Sequence, residues 1–99
     1  MNKHKIIVKK QHDFYALEFK VTIEEANGTT THVIRIEDHF LDLLPKDHSD
    51  EEIVIAAFRF LLDREPKEAI LSDFDISMIP NYFPNFLSEI FSYLNKREN

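Results

Sequence analysis

Cysteine is absent from this 99-residue chain, and glycine occurs only once. Without thiols the chain can form neither disulfides nor thiolate metal sites, and a reducing cytoplasm is the expected compartment. A single glycine cannot build the glycine-rich loops that cradle dinucleotides or nucleoside triphosphates. These two absences exclude disulfide-stabilised scaffolds and the common nucleotide-binding motifs.

Long apolar runs and an excess of basic residues are also missing. The N-terminal apolar run covers only Ile6, Ile7 and Val8, which is too short for a signal peptide. No segment reaches the roughly 20 apolar residues that a membrane helix needs. The net charge is −6, and no continuous basic face is evident, which argues against nucleic-acid binding. We therefore expect neither a membrane span nor a nucleic-acid partner.

Apolar residues make up 43 % of the chain, and nine residues are phenylalanines. This size and composition indicate one globular domain over residues 1–99. Alternating apolar residues in the first part and helical spacing in the second predict an α+β fold. We expect an N-terminal antiparallel β-meander or hairpin, with strands over about 4–10, 14–25 and 29–37. It is expected to pack against helices over about 38–44, 50–64, 66–72, 75–82 and 85–95.

Residues 49–64 predict a helix with almost no polar side. An S-x-x-E capping box begins at Ser49, and residues 53–62 are apolar apart from one arginine. So wide an apolar surface needs cover on at least two sides. We expect that cover from the hairpin face at 15–23 and from the apolar stripe at 86–94. Any part of 53–62 left bare would be the first place to look for a partner.

Residues 14–36 predict a β-hairpin around Asn27-Gly28. That dipeptide favours a type I′ turn, in which both central residues have positive φ. With these two residues as the loop, the numbers of opposed residues sum to 55. The apolar cross-strand pairs would be Val21 with Ile34, Phe19 with Ile36, and Ile23 with His32. His32 is interpreted as a partly exposed sheet residue.

The strand at 4–10 places β-branched residues between lysines, a pattern typical of a protected edge strand. The sequence leaves open whether this strand pairs within the chain or with a partner.

The acidic segment 37–52 holds seven acidic residues and one lysine. Within it, the carboxylates and imidazoles of Asp38, His39, Asp42 and His48 could bind a divalent cation. Their spacing fits no standard metal motif, and the competing interpretation is a solvated acidic surface. Metal or small-ligand binding through 37–48 is the alternative function.

Residues 60–86 read F-L-L-D-R-E-P-K-E-A-I-L-S-D-F-D-I-S-M-I-P-N-Y-F-P-N-F. This stretch resembles the end of a family of short uncharacterised bacterial proteins, in which a β-hairpin precedes helices and the motif F-D-x-x-x-I-x-x-Y-F-P. The resemblance implies a bacterial, cytoplasmic origin and an α+β fold, but no activity or catalytic residues. We interpret the motif residues first as structural; they are Phe74, Asp75, Ile76, Tyr82, Phe83 and Pro84.

Motifs of catalysis are not evident, since none of the serines stands in a nucleophile-elbow context. We therefore expect a protein-interaction or regulatory module that has no enzymatic activity and needs no cofactor. A protein partner, or a second copy in a homodimer, would bind an apolar patch or a sheet edge. The candidate partner-binding residues are Tyr82, Phe83 and Phe86 for the patch, and Ile7 and Lys9 for the edge.

Overall fold

The computed structural model of the chain describes residues 4–11 and 17–94. Within them it has an α+β fold, as predicted, with a four-stranded mixed sheet. The strands are β1 (Lys5–Gln11), β2 (Leu17–Glu25), β3 (Gly28–Ile36) and β4 (Asp73–Asp75). The helices are α1 (Asp38–Leu41), α2 (Asp50–Leu62), α3 (Ile79–Tyr82) and α4 (Phe86–Leu94), with 3-10 turns at Lys67–Ala69 and Ile76–Met78.

The sheet has the order β1-β2-β3-β4. Its first three strands form an antiparallel meander, so β1 pairs within the chain, whereas β4 runs parallel to β3. A parallel pair needs a crossover connection, and residues 37–72 supply it with α1 and α2. The two outer strands are therefore β1, from the N-terminal part, and β4, from the second half of the chain.

One face of the sheet is buried and the other faces solvent. The side chains of Phe19, Val21, Ile23, Ile34 and Ile36 are all 0 % exposed on the inner face. Alternate residues of the same strands point outward and are exposed or half-buried, because side chains alternate between the faces of a strand. The helices α2 and α4 pack together over the inner face, where the core lies.

The hairpin register differs from the predicted one by two residues. The loop is Ala26-Asn27, Glu25 is opposite Gly28, and opposed residues sum to 53. Gly28 has φ +143°, whereas Asn27 does not have a positive φ, so a type I′ turn is not formed. A slip of two residues keeps every side chain on its predicted face. The predicted faces are thus right, but the predicted pairs are wrong: Val21 is opposite His32, Phe19 opposite Ile34, and Ile23 opposite Thr30.

His32 is buried in the structure, at 2 % exposure, and not partly exposed as predicted. Its Nδ1 lies 2.7 Å from the Leu71 carbonyl oxygen, and its Nε2 lies 2.8 Å from Thr30 Oγ1. The ring also packs against Phe58, with 5.5 Å between ring centroids. Both ring nitrogens have hydrogen-bond partners, which is what allows a polar ring to lie in the core.

Helix α2 forms the centre of the core, and its predicted capping box is present. Ser49 Oγ accepts from the Glu52 N–H at 3.1 Å, and the Ser49 N–H donates to Glu52 Oε1 at 2.9 Å. The apolar residues of 53–62 are buried, except Ile55 and Leu62, which are half-buried. No exposed apolar residue remains on this part of α2 that could form a partner surface.

The second half of the chain contains less helix than predicted. The segment 66–72 holds only the 3-10 turn Lys67–Ala69, and 75–82 holds a 3-10 turn followed by the short α3. The strand β4 was not predicted. Asp75 caps the turn after it, since its Oδ1 accepts from the Ser77 N–H at 3.1 Å.

Parts of the predicted elements lie outside the described residues, namely 14–16 of the second strand and residue 95 of the last helix. Across 4–11 and 17–94, none of the helices combines the length and hydropathy that a bilayer crossing requires.

Candidate binding surface

An apolar cavity of about 240 Å³ lies beside β4, between the end of α2 and the segment around α3. Its lining combines the inward-facing Phe74 of β4 with residues on both sides of it in sequence. The lining residues are Leu61, Glu65, Ala69, Ile70, Leu71, Phe74, Met78, Ile79, Tyr82 and Phe83. We call the surface formed by Glu65, Leu71, Phe74, Tyr82 and Phe83 the β4 groove.

Local sequence explains how the walls of the β4 groove come together. Phe74 stands between Asp73 and Asp75, so the strand turns the ring to the inner face and both carboxylates to the outer face. Asp75 then caps the following turn, and Pro80 occupies the first turn of α3, where its missing N–H is tolerated. This immediate reversal after β4 brings Tyr82 to the same cavity that Leu71 lines.

Two large apolar side chains at the β4 groove are exposed to solvent. Tyr82 is 64 % exposed and Leu71 is 48 % exposed, while Phe83 and Met78 beside them are half-buried. Single exposed apolar residues are ordinary on protein surfaces, but a cluster of them around a cavity is typical of a binding site. The β4 groove is therefore the candidate binding surface of this chain.

Among the described residues that line the cavity, Glu65 is the one with a charged side chain. It is half-buried, and among the residues that the structure describes its carboxylate has neither a hydrogen-bond partner nor an ion pair. The nearest basic residues in sequence are engaged elsewhere: Arg64 pairs with Glu89 at 2.6 Å, and Lys67 pairs with Glu25 and Glu68. The β4 groove thus offers a negative charge at an apolar wall.

Within residues 4–11 and 17–94, the backbone groups on the outer edge of β4, next to the cavity, have no hydrogen-bond partner. The Val33 N–H donates to the Ser72 carbonyl at 2.8 Å, and the register aligns Val33 with Asp73. In a parallel pair, successive residues point their backbone groups to opposite sides of the strand. The N–H and C=O of Asp73 consequently point away from β3, toward the open edge.

A negative cluster accompanies this edge on the outer face of the sheet. The Arg35 guanidinium lies 2.5 Å from Asp73 and 3.7 Å from Glu18, and Asp75 is also close. The hydrogen bond to Asp73 is the main cause of the raised pKa of Arg35. One cation among three carboxylates leaves a net charge of −2, and the Asp73 side chain is 60 % exposed.

The structure separates the five predicted partner-binding residues. Tyr82 and Phe83 line the β4 groove. Phe86 is 0 % exposed, and its ring packs edge-on against Phe60 at 5.0 Å, so it supports the core and cannot contact a partner. Ile7, 41 % exposed, and Lys9 lie on β1, at the opposite edge of the sheet.

The predicted metal ligands Asp38, His39, Asp42 and His48 do not converge. The imidazole of His39 faces Glu37 at 3.4 Å, Asp42 faces Lys46 at 3.5 Å, and His48 faces Glu52 at 3.5 Å. In residues 4–11 and 17–94, no three histidines or carboxylates form a group that could hold a metal ion. His39, Asp42 and His48 thus each lie beside a different neighbouring side chain and do not form one site.

Sequence reasoning missed Lys67, which is 1 % exposed. Its Nζ donates to Glu25 and Asn27 at 2.9 Å and to Glu68 at 2.7 Å, and the hydrogen bonds to Glu68 and Glu25 raise the pKa of Lys67. This ammonium ties the hairpin loop to the segment before β4. No sequence signal identified it, because two of its partners lie about 40 residues away along the chain.

A second missed network joins α2 to α4. The Arg64 guanidinium stacks 3.6 Å from the centroid of the Phe60 ring and donates to Glu89. Tyr93 donates to Asp63 at 2.5 Å, and burial, followed by the hydrogen bond to Asp63, raises the pKa of its phenol. The polar atoms of Asp63, Arg64, Glu89 and Tyr93 thus satisfy one another. We call this network the clamp between α2 and α4, and we interpret it as structural.

Comparison with protein-family models, curated proteins and solved structures found no match to this chain.

Proposed function

We propose that this chain is a small protein-interaction module without catalysis and that it binds a partner at the β4 groove. The observation that carries the proposal is the exposure of Tyr82 and Leu71 around an apolar cavity. Burying apolar surface of this kind gives roughly 25 cal/mol per Å², so a partner that covers both side chains gains a large part of its binding free energy there.

The proposed partner site lies away from α2, although the sequence favours α2 as the first place to look for a partner. Between residues 53 and 62 the apolar side chains are covered by the fold itself, so they have little surface left to contribute. The β1 edge is less suited to a second copy of the chain. An antiparallel pair of β1 strands centred on Ile7 would place Lys5 opposite Lys9, and directly opposed like charges are unfavourable.

A cytoplasmic, bacterial origin is part of the proposal. It is supported by the absence of cysteine, which suits a reducing compartment, and by the resemblance carried by residues 60–86. Metal or small-ligand binding through residues 37–48 is not favoured, because Asp42, His39 and His48 each face a different neighbouring side chain.

Photo-cross-linking in the cells that make the protein tests this proposal. A benzophenone amino acid replaces Tyr82, and in a matched control it replaces Leu43, which is 55 % exposed and does not line the cavity. We expect a discrete cross-linked protein from position 82 and none from position 43. Equal cross-linking from both positions, or none from position 82, would contradict the proposal.

A further inference from the structure

Phe74 belongs both to the edge strand β4 and to the β4 groove. A partner that binds at this edge therefore also places a side chain at the groove. Phe74 belongs to the outermost strand, and its ring lines the cavity. A strand added at that edge would place its residue opposite Phe74 on the same face of the sheet. The side chain of that residue would therefore point toward the groove.

We propose that the partner binds as an extended segment that adds a strand to β4, with a large apolar residue flanked on both sides by lysine or arginine. This inference rests on the proposed function and specifies the chemistry of the partner. Such β-augmentation takes its affinity from main-chain hydrogen bonds and its specificity from alternate side chains. The backbone N–H and C=O of Asp73, which point away from β3, are the groups that the added strand would pair with.

Charge complementarity selects the flanking residues. The residues on either side of the central apolar one would lie opposite Asp73 and Asp75, on the outer face of the sheet. Around these carboxylates the charge is net negative even with Arg35 included. Cross-strand pairs of opposite charge are favourable, and like pairs are unfavourable. Glu65 adds a further carboxylate at the groove itself.

The same charges argue against a second copy of the chain as the occupant. The chain carries a net charge of −6, and its sequence contains no apolar residue flanked on both sides by lysine or arginine. The pattern is symmetric about its centre, so it fits β4 whether the added strand runs parallel or antiparallel to it.

The test uses the full chain and a set of synthetic nine-residue peptides. The reference peptide has lysine, leucine and lysine at its centre. The second peptide replaces both lysines with glutamates, the third replaces the leucine with serine, and the fourth carries N-methyl groups on the three central amides. Binding is measured by fluorescence anisotropy and located by amide chemical shifts of the labelled protein.

We expect the glutamate and serine peptides to bind at least about tenfold more weakly than the reference. N-methylation should abolish binding, because it removes main-chain donors while it keeps both charges. In the protein, the double variant Leu71→Ser with Tyr82→Ala should lose binding, and Leu43→Ser should keep it.

Any one of five results would overturn the inference. Equal binding of the lysine and glutamate peptides would remove the charge argument, and binding that survives N-methylation would show that no strand is added. Shifts confined to residues outside both the groove and β4 would place the site elsewhere. Concentration-dependent shifts at the groove without any peptide would identify a second copy as the occupant. If position 82 still cross-links in cells while the reference peptide fails to bind, only this inference falls and the proposed function stands.

Discussion

The two outer strands of the sheet differ in length, charge and cover. The β1 edge is seven residues long and carries lysines at positions 5, 9 and 10. The β4 edge is three residues long, carries two aspartates, and adjoins an apolar cavity. Lysines are a common device for keeping a sheet edge from pairing with other chains. The long edge is thus protected by charge, whereas the short edge combines apolar surface with a net negative charge.

Removing one apolar side chain at each edge should give the largest difference between the two edges. Phe74 is 6 % exposed and touches the core ring of Phe58, with 6.0 Å between centroids, whereas Ile7 is 41 % exposed. We expect Phe74→Ala to lower the free energy of unfolding by about 3 kcal/mol. We expect Ile7→Ala to change it by less than about 1 kcal/mol. Urea unfolding measures both, and equal losses would show that the two edges contribute alike to the core.

The hydrogen bonds of Lys67 hold the segment before β4, and their contribution to the free energy of unfolding depends on pH with a known sign. The pKa of Lys67 is raised in the folded chain, so its stabilisation is complete below the ordinary value of 10.5 and is lost as the pH rises through the folded-state pKa. We expect Lys67→Met to be destabilised near neutral pH and the difference from the wild type to shrink above pH 10.5.

Urea unfolding over a series of pH values measures that difference. Lys46→Met is the control, because it removes an ammonium group that is 66 % exposed and takes no part in the contacts of Lys67 with Glu25, Asn27 and Glu68. A difference between wild type and Lys67→Met that does not vary above pH 10.5 would show that the charge of Lys67 is not what anchors the segment.

Removing the protection of the β1 edge should have a smaller effect, seen in association and not in folding. The double variant Lys5→Thr with Lys9→Thr keeps strand-forming residues but removes the opposed charges, so we expect it to self-associate as the concentration rises. Lys20→Thr with Lys46→Thr changes the net charge equally and leaves the edge intact. Sedimentation velocity compares the two, and self-association of both would attribute the effect to net charge alone.

Much of the fold could be predicted because its signals are local. The capping box at Ser49 and the alternation along β2 and β3 each depend on neighbours in sequence, and the structure contains them. The hairpin register was predicted wrongly, because the prediction assumed a type I′ turn with positive φ at both Asn27 and Gly28. In the structure only Gly28 of the two has a positive φ. A two-residue slip leaves the buried face unchanged, so the hydrophobic pattern could not select between the two registers.

The β4 groove could not be predicted, because its strand, β4, is formed by contacts between residues that are far apart in sequence. β4 has three residues, too few for their alternation to predict a strand, and it aligns Asp73 with Val33, which lies 40 residues earlier in the chain. The sequence marked Tyr82 and Phe83 as surface candidates, and both line the cavity. It also marked Phe86, which the structure buries beneath Phe60. Aromatic content alone does not tell which rings lie in the core and which lie on the surface.

Cross-linking at the two edges tests the central claim most directly. The benzophenone side chain is placed at position 82 in the β4 groove, at position 7 on the β1 edge, and at the exposed control position 43. Our account predicts one discrete protein adduct from position 82 and none from positions 7 and 43. An adduct of the same size from position 7 but not from position 82 would show that the partner binds the β1 edge and would contradict the account.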